Sequence, residues 1–356
     1  MLFKTKPHLY LRFYEKSISY LSIDPQKRTI LDKGYLIFDT PLLQEGKVTN
    51  PGLIKTRLDA LVKEKKWKNT KVSMVLPDDF VTIRFENIPS QLDASEVKDY
   101  LDLHINISIR LPFDHPKVDF ELVKQTEENQ TILLAAYPGE EVRIYLDLLQ
   151  DIGLKPEVAD ISALSVYRVV KELDTLSIKS SDHVMLLQWH PLDLSITVFN
   201  NDIPQFNRQT RLSRLSDSWT LSEEGVWTWK HSQELLQDNL SDQLNGLERF
   251  IEFYRYSVLN GEGTIETIIL TGSFPDLDYV KNLLEERFPL EVYTLSMPDQ
   301  LTSADAALYG LSLKESKKKA KKKEPLVTKA KEKKARSFKK PFATLEQTQV
   351  KEEGEG

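Results

Sequence analysis

The stretch MLLQWHPLDLSITVFNNDIPQFNR, from Met185 to Arg208, decides the fold. Two short apolar runs flank a tight turn at Gln188, Trp189 and His190, and a third run follows the turn formers Asn200-Asn201-Asp202. Short apolar runs bounded by turn residues of this kind are typical of strands. The stretch therefore predicts a three-stranded meander.

An alternation of helices and strands follows this meander. The segment Gln233–Leu259 carries apolar residues every three or four positions, which predicts a long helix with one face packed on a core. Trp219, Trp227 and Trp229 precede it, and we expect them to pack under a small hairpin, with a contact surface for another protein as the alternative. Four further elements are predicted: strands at Thr267–Leu270 and Leu290–Thr294, and helices at Leu277–Phe288 and Ser303–Ser312.

The first part of the chain repeats this plan. His8–Ile23 and Thr29–Phe38 predict a meander, Asn50-Pro51-Gly52 opens an amphipathic helix, and Lys71–Pro77 predicts a strand. A unit of different character follows, which predicts a small α+β insert. Its elements are a strand at Phe80–Ile88, a helix at Ala94–Ile107 capped by Asp93, strands at Val118–Val123 and Thr131–Tyr137, and a helix at Glu140–Gly153.

Composition excludes several kinds of function. The chain has no cysteine, which excludes disulfides, thiolate nucleophiles and cysteine-ligated zinc. Its six histidines show no HxH or HExxH spacing, and no Ser/His/Asp arrangement stands out, so we expect neither a metal site nor a catalytic residue. Charged residues interrupt the first twenty positions and no apolar run approaches transmembrane length, so we expect a soluble, cytoplasmic protein.

Charge is distributed unevenly along the chain. Lys314–Lys340 carries 14 basic and 3 acidic side chains, or +11, and Pro341–Gly356 carries 1 basic and 4 acidic, or −3, so residues 1–313 carry −14 and the whole chain −6. The acidic body argues against a nucleic-acid-binding fold. The tail is too highly charged to bury a core, and we expect it to be disordered.

Lysines of this tail are candidate contacts with an anionic membrane surface. They are Lys317, Lys318, Lys319, Lys321, Lys322 and Lys323. A solubilising or nucleic-acid-attracting tail is the alternative.

Three segments carry a resemblance to a known family: Phe85–Val123, Thr131–Val170 and Thr267–Tyr293. They are similar to the type IV pilus assembly protein PilM, whose relatives include actin-like proteins of the FtsA type. A turn at Arg110–Asp114 stands where the family has an Ile-Pro-Phe-Pro-like turn. A helix ends in Gly-Leu-Lys-Pro at 153–156, as in the family, and the ending SADAALYGL occupies Ser303–Leu311.

The resemblance implies an α/β fold of the actin-like, duplicated ribonuclease H-like type, with a small α+β insert and a disordered basic tail. We expect a first actin-like subdomain at 1–85 completed by 158–180, and the insert at 86–157. The second actin-like domain is expected at 181–313, with a small subdomain at about 216–262, and the tail at 314–356.

Actin-like ATPases hold phosphates with two hairpin turns that contain Asp and Gly. The resemblance places Arg12 and Tyr14 at those positions in the first hairpin, and Gln188 and His190 in the second. A bulky side chain keeps the backbone away from a phosphate, and magnesium loses its carboxylate anchor. We therefore expect a pseudo-ATPase that is not an enzyme and binds no cofactor, with ATP and magnesium disfavoured.

One glycine survives where the family fold has a Gly-Gly turn near the adenosine. The segment Thr271, Gly272 and Ser273 is a vestigial cofactor-binding candidate, with a plain strand-to-helix turn as the alternative. The chain has only 13 glycines in 356 residues, about half the usual ~7%, which leaves few for phosphate loops.

The resemblance also implies a partner. Members of the family bind the cytoplasmic N-terminal segment of PilN, a bitopic inner-membrane protein, in a groove between the insert and the first domain. Candidate partner-binding residues here are Phe85, Ile88, Leu111 and Phe113, with ordinary insert core as the alternative.

The sequence as a whole predicts a cytoplasmic scaffold at the inner face of the cell membrane, acting in type IV pilus, competence or secretion assembly. Its partners would be a PilN-like protein, other pilus assembly proteins and the membrane surface, with no specific nucleic acid. The alternatives are an active actin-like ATP-binding assembly protein and a nucleic-acid-associated factor that uses the basic tail.

Overall fold

A computed structural model of the chain describes residues 6–173, 178–179, 182–298 and 300–321, with side chains described up to Lys314 except that of Ser213. The first half contains a five-stranded sheet in the order β10-β6-β1-β2-β3. Neighbours β1, β2 and β3 pair antiparallel, and β6 pairs parallel with both β1 and β10. The elements of this half are β1 (His8–Phe13), β2 (Ser17–Ile23), β3 (Ile30–Ile37), the short β4 (Leu43–Gln44) and β5 (Lys47–Val48), α1 (Pro51–Glu64), β6 (Lys71–Leu76), β10 (Lys155–Ile161) and α4 (Ser162–Leu173).

The second half repeats the same topology. Its sheet has the order β13-β12-β11-β16-β17, again with an antiparallel meander and two parallel strands beyond it. The predicted duplication of the fold is therefore confirmed. The elements are β11 (Val184–Trp189), β12 (Asp193–Asn200), β13 (Ile203–Arg211), β14 (Trp219–Leu221), β15 (Trp227–Trp229), α5 (Gln233–Phe253) with a π-helical turn at Tyr254–Val258, β16 (Thr267–Thr271), α6 (Leu277–Arg287), β17 (Glu291–Thr294) and α7 (Ala306–Lys321).

The insert is built on a three-stranded antiparallel sheet in the order β7-β9-β8. Its elements are β7 (Thr82–Pro89), α2 (Ala94–His104), β8 (Pro116–Gln125), β9 (Asn129–Pro138) and α3 (Gly139–Asp151). The helix α2 covers one face of this sheet and forms a small separate core with it. The predicted insert also included α3, but the buried Tyr145 and Leu148 of α3 pack in the core of the first half.

Local sequence signals start several helices. The Asn50 side chain accepts a hydrogen bond of 2.9 Å from the Leu53 amide, and Pro51 is the first residue of α1. Asp93 and Glu96 form a reciprocal capping box at the start of α2. These side chains satisfy amide groups that have no partner within the helix, which fixes where each helix begins.

The three tryptophans belong to a small hairpin. Trp219 and Trp229 pair across β14 and β15, and Trp219 is buried. Trp227 and Trp229 pack against the core of the second half, and α5 contributes side chains to the same core. The tryptophans therefore form the strands of the hairpin and pack on the adjacent core, instead of lying under the hairpin.

The helices α4 and α7 pack together between the two sheets. At Gly310 of α7, an added Cβ would lie 1.8 Å from the Ser165 carbonyl oxygen, so the two backbones cross at a distance that only glycine allows. The core around them includes Leu186, Phe199 and Ile269 of the second sheet. The last helix therefore joins the halves, rather than belonging to the second alone.

The sequence predicts that the folded region ends near Leu313. The helix α7 continues to Lys321, and Lys314 is buried beside Asp160 instead of belonging to a basic tail. The predicted tail spans 314–356, and its part from 322 to 356 lies outside the described residues. Among the described residues, no helix is both long enough and apolar enough to cross a membrane.

Candidate functional site

The two hairpin turns that would hold phosphates in an actin-like ATPase face each other across a narrow cleft. The rings of Tyr14, after β1, and His190, after β11, lie 5.9 Å apart between centroids. The cavity between these turns has a volume of about 40 Å³. Ligand pockets usually have at least ~300 Å³.

Arg12 closes the side of the cleft that belongs to the first half. Its guanidinium lies 3.2 Å from the Asp78 carboxylate and 4.7 Å above the ring of Tyr14. Burial raises the pKa of Asp78, although Arg12 opposes this shift. A cation therefore lies at the position to which the resemblance assigns the Asp of an active phosphate turn.

Gln188 and Ser162 extend this network into the second half. The Gln188 side-chain amide donates a hydrogen bond of 2.8 Å to the Ser162 hydroxyl, which donates one of 2.6 Å to Asp78. Both residues are buried. Gln188 stands where the resemblance would place the Asp of the second phosphate turn. Its side chain instead links the two halves through a hydrogen bond.

His190 is tied to the third element of the candidate nucleotide site. Its Nδ1 lies 2.8 Å from the Ser273 hydroxyl and accepts a hydrogen bond of 3.1 Å from the Ser273 amide. The pKa of His190 is lowered well below its ordinary value, mainly by burial and in addition by the nearby positive charge of Arg12. The ring is therefore neutral at physiological pH and acts as an acceptor at Nδ1.

The Thr271, Gly272 and Ser273 turn packs directly on β11. Gly272 has φ +129°, and an added Cβ would lie 2.1 Å from the Trp189 carbonyl oxygen. That oxygen accepts a hydrogen bond from the Phe274 amide. The Ser273 and Phe274 amides of this turn already donate to His190 and Trp189.

Arg211 of β13 bridges the cleft from the second half. It contacts Asp79 at 2.6 Å and Glu15 at 3.2 Å, both in the first half. Glu15 also accepts a hydrogen bond of 2.5 Å from the Ser216 hydroxyl. Asp193 lies half-buried in the same cluster, and burial raises its pKa to about 7.

A larger groove lies where the insert meets the first half, and we call it the junction groove. It has a volume of about 550 Å³. Its wall includes the aromatic rings of Phe80 and Phe113. Its charged and titratable lining residues are Lys47, Asp79, Asp114, His115, Glu140 and Glu141.

The start of α3 brings carboxylates into the junction groove. The Gly139 amide donates a hydrogen bond to the His115 carbonyl oxygen, and an added Cβ at Gly139 would lie 2.4 Å from that oxygen. This close approach places Glu140 and Glu141 beside the 112–115 loop. Burial raises the pKa of Glu141, and one of its carboxylate oxygens has no hydrogen-bond partner among the described residues.

The structure brings only one of the four predicted partner-binding residues to the junction groove. Phe113 lines it, whereas Ile88 is buried in the insert core and Leu111 packs against that core. Phe85 is exposed, on the opposite face of β7 from Ile88, because residues three apart on a strand point to opposite sides. The side chains of the candidate membrane-contact lysines from Lys317 to Lys323 lie outside the described part of the structure.

Sequence reasoning missed the ion pairs of the cleft. Asp78 and Asp79 directly follow Pro77 at the carboxyl end of β6. Two carboxylates after a buried parallel strand are a signal for a site, because ligands of α/β sheets bind at that edge. Glu15 and Arg211 gave no such signal, since their contacts join residues far apart in the sequence.

Comparison with known proteins gives a family and a fold. The family model of the type IV pilus assembly protein PilM matches residues 34–307. A structure of a PilM-PilN type IV pilus biogenesis complex is similar at a TM-score of 0.68, with 18% identity over 87% of this chain and 98% of that chain. No curated protein matches the sequence.

Two further solved structures are similar at lower scores. The ethanolamine utilization protein EutJ from Carboxydothermus hydrogenoformans has a TM-score of 0.50 and 7% identity, over 87% of this chain and 90% of that chain. A Bacteroides thetaiotaomicron protein with an actin-like ATPase fold has a TM-score of 0.45 and 14% identity, over 85% and 96%. The matched family and the duplicated sheets together make the fold actin-like.

Proposed function

This chain belongs to the type IV pilus assembly protein PilM family, and we propose that it is a cytoplasmic scaffold that binds the N-terminal segment of a PilN-like inner-membrane protein. The scaffold would act in assembly of a pilus, or of a related competence or secretion machine. The binding site would be the junction groove. In this role the protein neither binds nor hydrolyses ATP.

The junction groove is the observation that carries this proposal. Its volume of about 550 Å³ exceeds the 40 Å³ of the interdomain cleft more than tenfold. Phe80 and Phe113 offer apolar contacts, and Asp114, Glu140 and Glu141 supply negative charge. A short extended segment with apolar and basic side chains matches that lining.

The peptide test uses the cytoplasmic N-terminal segment of the PilN-like protein of the same organism, labelled with fluorescein and titrated with the full chain. We expect Phe113→Asp to weaken binding at least about tenfold, because it removes an aromatic ring from the groove wall and puts a charged group where an apolar side chain of the segment would pack. The control is Leu103→Asp, at an exposed position on α2 outside the junction groove. Equal affinities of Phe113→Asp and the wild type would refute the junction groove as the site.

Filling of the cleft supports the absence of ATPase activity. Arg12 neutralises Asp78, and the amides of Ser273 and Phe274 are used internally. Calorimetric titration with magnesium-ATP should give no heat of binding. Micromolar affinity would establish the active actin-like ATP-binding protein instead.

We propose the basic residues from Lys317 to Lys323 as the contact with the membrane, and the burial of Lys314 determines how this is tested. A chain cut at Leu313 would lose the buried ion pair of Lys314 with Asp160 as well as the tail. The test is therefore co-sedimentation of the full chain with anionic vesicles, compared with a variant carrying glutamine at Lys317, Lys318, Lys319, Lys321, Lys322 and Lys323. Loss of salt-sensitive binding in the variant is expected, and unchanged partition would exclude the contact.

A further inference from the structure

A second groove lies in the other half of the molecule, between the edge strand β13 and the helix α5, and we call it the arginine groove. Its volume is about 420 Å³. Its floor is apolar and consists of Leu194, Ile196, Leu247 and Phe250, all of which are buried. Nothing in the function proposed above uses this site.

The rim of the arginine groove is basic. Arg208 and Arg249 are exposed, and neither has a carboxylate partner among the described residues. Arg214 pairs with Asp242 at 3.2 Å, where both side chains are mostly exposed, so water and salt screen the pair. Unpaired arginines over an apolar floor stand out because residues 1–313 carry a net charge of −14.

Gly246 lies in the interior of α5 and faces this groove. Glycine destabilises a helix interior relative to alanine. An added Cβ at Gly246 would meet only the Arg249 side chain, at 3.9 Å, so no packing within the chain requires glycine here. The position leaves room for another backbone to approach the helix closely.

Gln243 precedes Gly246 by about one turn of α5 and supplies an unused acceptor. Its side-chain oxygen is buried without a hydrogen-bond partner among the described residues, and the residue lines the groove. Buried acceptors of this kind are rarely left unpaired. A backbone amide of a bound segment would satisfy it.

The length of the site fits a short extended chain. From Asp242 to Arg249 the helix covers about 10 Å at ~1.5 Å per residue. From Arg208 to Arg211 the strand β13 beside it covers about 10 Å at ~3.3 Å per residue. A groove of this length holds three or four residues of an extended polypeptide.

We propose that the arginine groove binds an extended, acidic segment of a partner protein. Carboxylates of the segment pair with Arg208 and Arg249, and an apolar side chain between them contacts the floor. The backbone of the segment passes over Gly246 and donates a hydrogen bond to the Gln243 oxygen. Charge complementarity with the arginines sets the preference for acidic residues.

The test begins with selection of random 12-residue peptides displayed on phage against the full chain. Enriched peptides should share acidic residues around an apolar one. Measured by fluorescence anisotropy, their affinity should fall at least about tenfold for Arg208→Glu combined with Arg249→Glu, and should fall at higher salt. The control Arg143→Glu reverses the charge of an exposed arginine on α3 and should leave affinity unchanged.

Variants at Gly246 distinguish an effect on peptide binding from an effect on folding. Gly246→Ala should raise the melting temperature by about 1–2 °C, because alanine favours the helix, while weakening the selected peptides severalfold. Gly246→Leu should abolish their binding with helicity retained by circular dichroism. The proposal is overturned if no peptides are enriched, if the enriched ones lack acidic residues, or if they bind the double arginine variant as tightly as the wild type.

Discussion

At the scale of single residues, Asp160 joins three elements of the fold through ion pairs. Its carboxylate is fully buried and lies 2.8 Å from Lys314 and 3.0 Å from Arg168. Burial alone would raise its pKa, but Lys314 and Arg168 outweigh burial and lower it. The charge of Asp160 thus holds α4 and α7 to the end of β10.

Replacement of Asp160 leaves two buried cations without their counterion. We expect Asp160→Asn to lower the free energy of unfolding by about 3–5 kcal/mol in urea titrations. Because the folded pKa is below that of the unfolded chain, the wild-type contribution is present above pH ~4 and is lost as pH falls below it. Asp151→Asn removes an exposed pair with Lys55 and should change stability by less than about 1 kcal/mol. Equal effects of the two variants would show that the burial of Asp160 has no energetic consequence.

The effect of Asp193 on stability changes with pH in the opposite direction to that of Asp160. Burial raises its pKa to about 7, with Asp78 and Asp79 adding repulsion and Arg12 and Arg211 opposing it. The folded state therefore keeps a proton that the unfolded chain releases near pH ~4, so stability falls as pH rises from about 4 to about 7.

The neutral variant Asp193→Asn removes this dependence. At pH ~8 its free energy of unfolding should exceed that of the wild type by about 1 kcal/mol, a small value because Asp193 is partly exposed to solvent. The difference should shrink towards pH ~4. Thermal unfolding at about pH 4.5 and about pH 8 measures it, with Asp39→Asn at an exposed position as the control. A stability difference that grows towards low pH would contradict the assignment.

At the scale of elements, the hairpin β11–β12 uses its turn for contacts between the two halves. Gln188→Asp combined with His190→Gly would introduce the carboxylate and glycine of an active turn. We expect no binding of magnesium-ATP in calorimetry, because Arg12 and Tyr14 still occupy the opposite turn.

The same double variant should also be less stable than the wild type by about 1–3 kcal/mol. It removes the hydrogen bond from Gln188 to Ser162 and sets a second carboxylate near Asp78. The single variant His190→Gly, which keeps the Gln188 contact, serves as the control. Micromolar nucleotide binding by the double variant would show that the first hairpin does not block the cleft.

Element boundaries and their order follow from the sequence, whereas contacts between distant elements do not. Asp93 marks the start of α2, and the spacing of apolar residues locates α5, because both signals are local. The packing of α3 and α7 on the first half depends on surfaces contributed by remote strands, so periodicity cannot assign it. The opposite faces of Phe85 and Ile88 were readable from strand alternation, and Asp78 with Asp79 from their place after β6.

At the scale of the whole molecule, several contacts hold the cleft closed. Arg211 joins β13 to Glu15 and Asp79. The tip of the β14–β15 hairpin lies on the first half, where an added Cβ at Gly225 would be 2.1 Å from the ring of Tyr35. On the far side, the rings of Tyr167 and Phe199 stack with centroids 3.8 Å apart. These contacts join the two halves on both sides of the cleft.

Because Arg211 is the one cation that contacts both Glu15 and Asp79 in the described ion pairs, its removal tests whether these ion pairs keep the cleft closed. Arg211→Ala leaves two largely buried carboxylates unpaired, and we expect it to lower the free energy of unfolding by about 1–2 kcal/mol. The amide of Tyr14, bonded to the Ser17 carbonyl in the facing turn, should exchange hydrogen about tenfold faster. Arg214→Ala removes an exposed pair with Asp242 and should leave that exchange rate unchanged. If both variants exchange at the wild-type rate, the Tyr167–Phe199 side and the hairpin tip suffice to keep the cleft closed, and Arg211 has no such role.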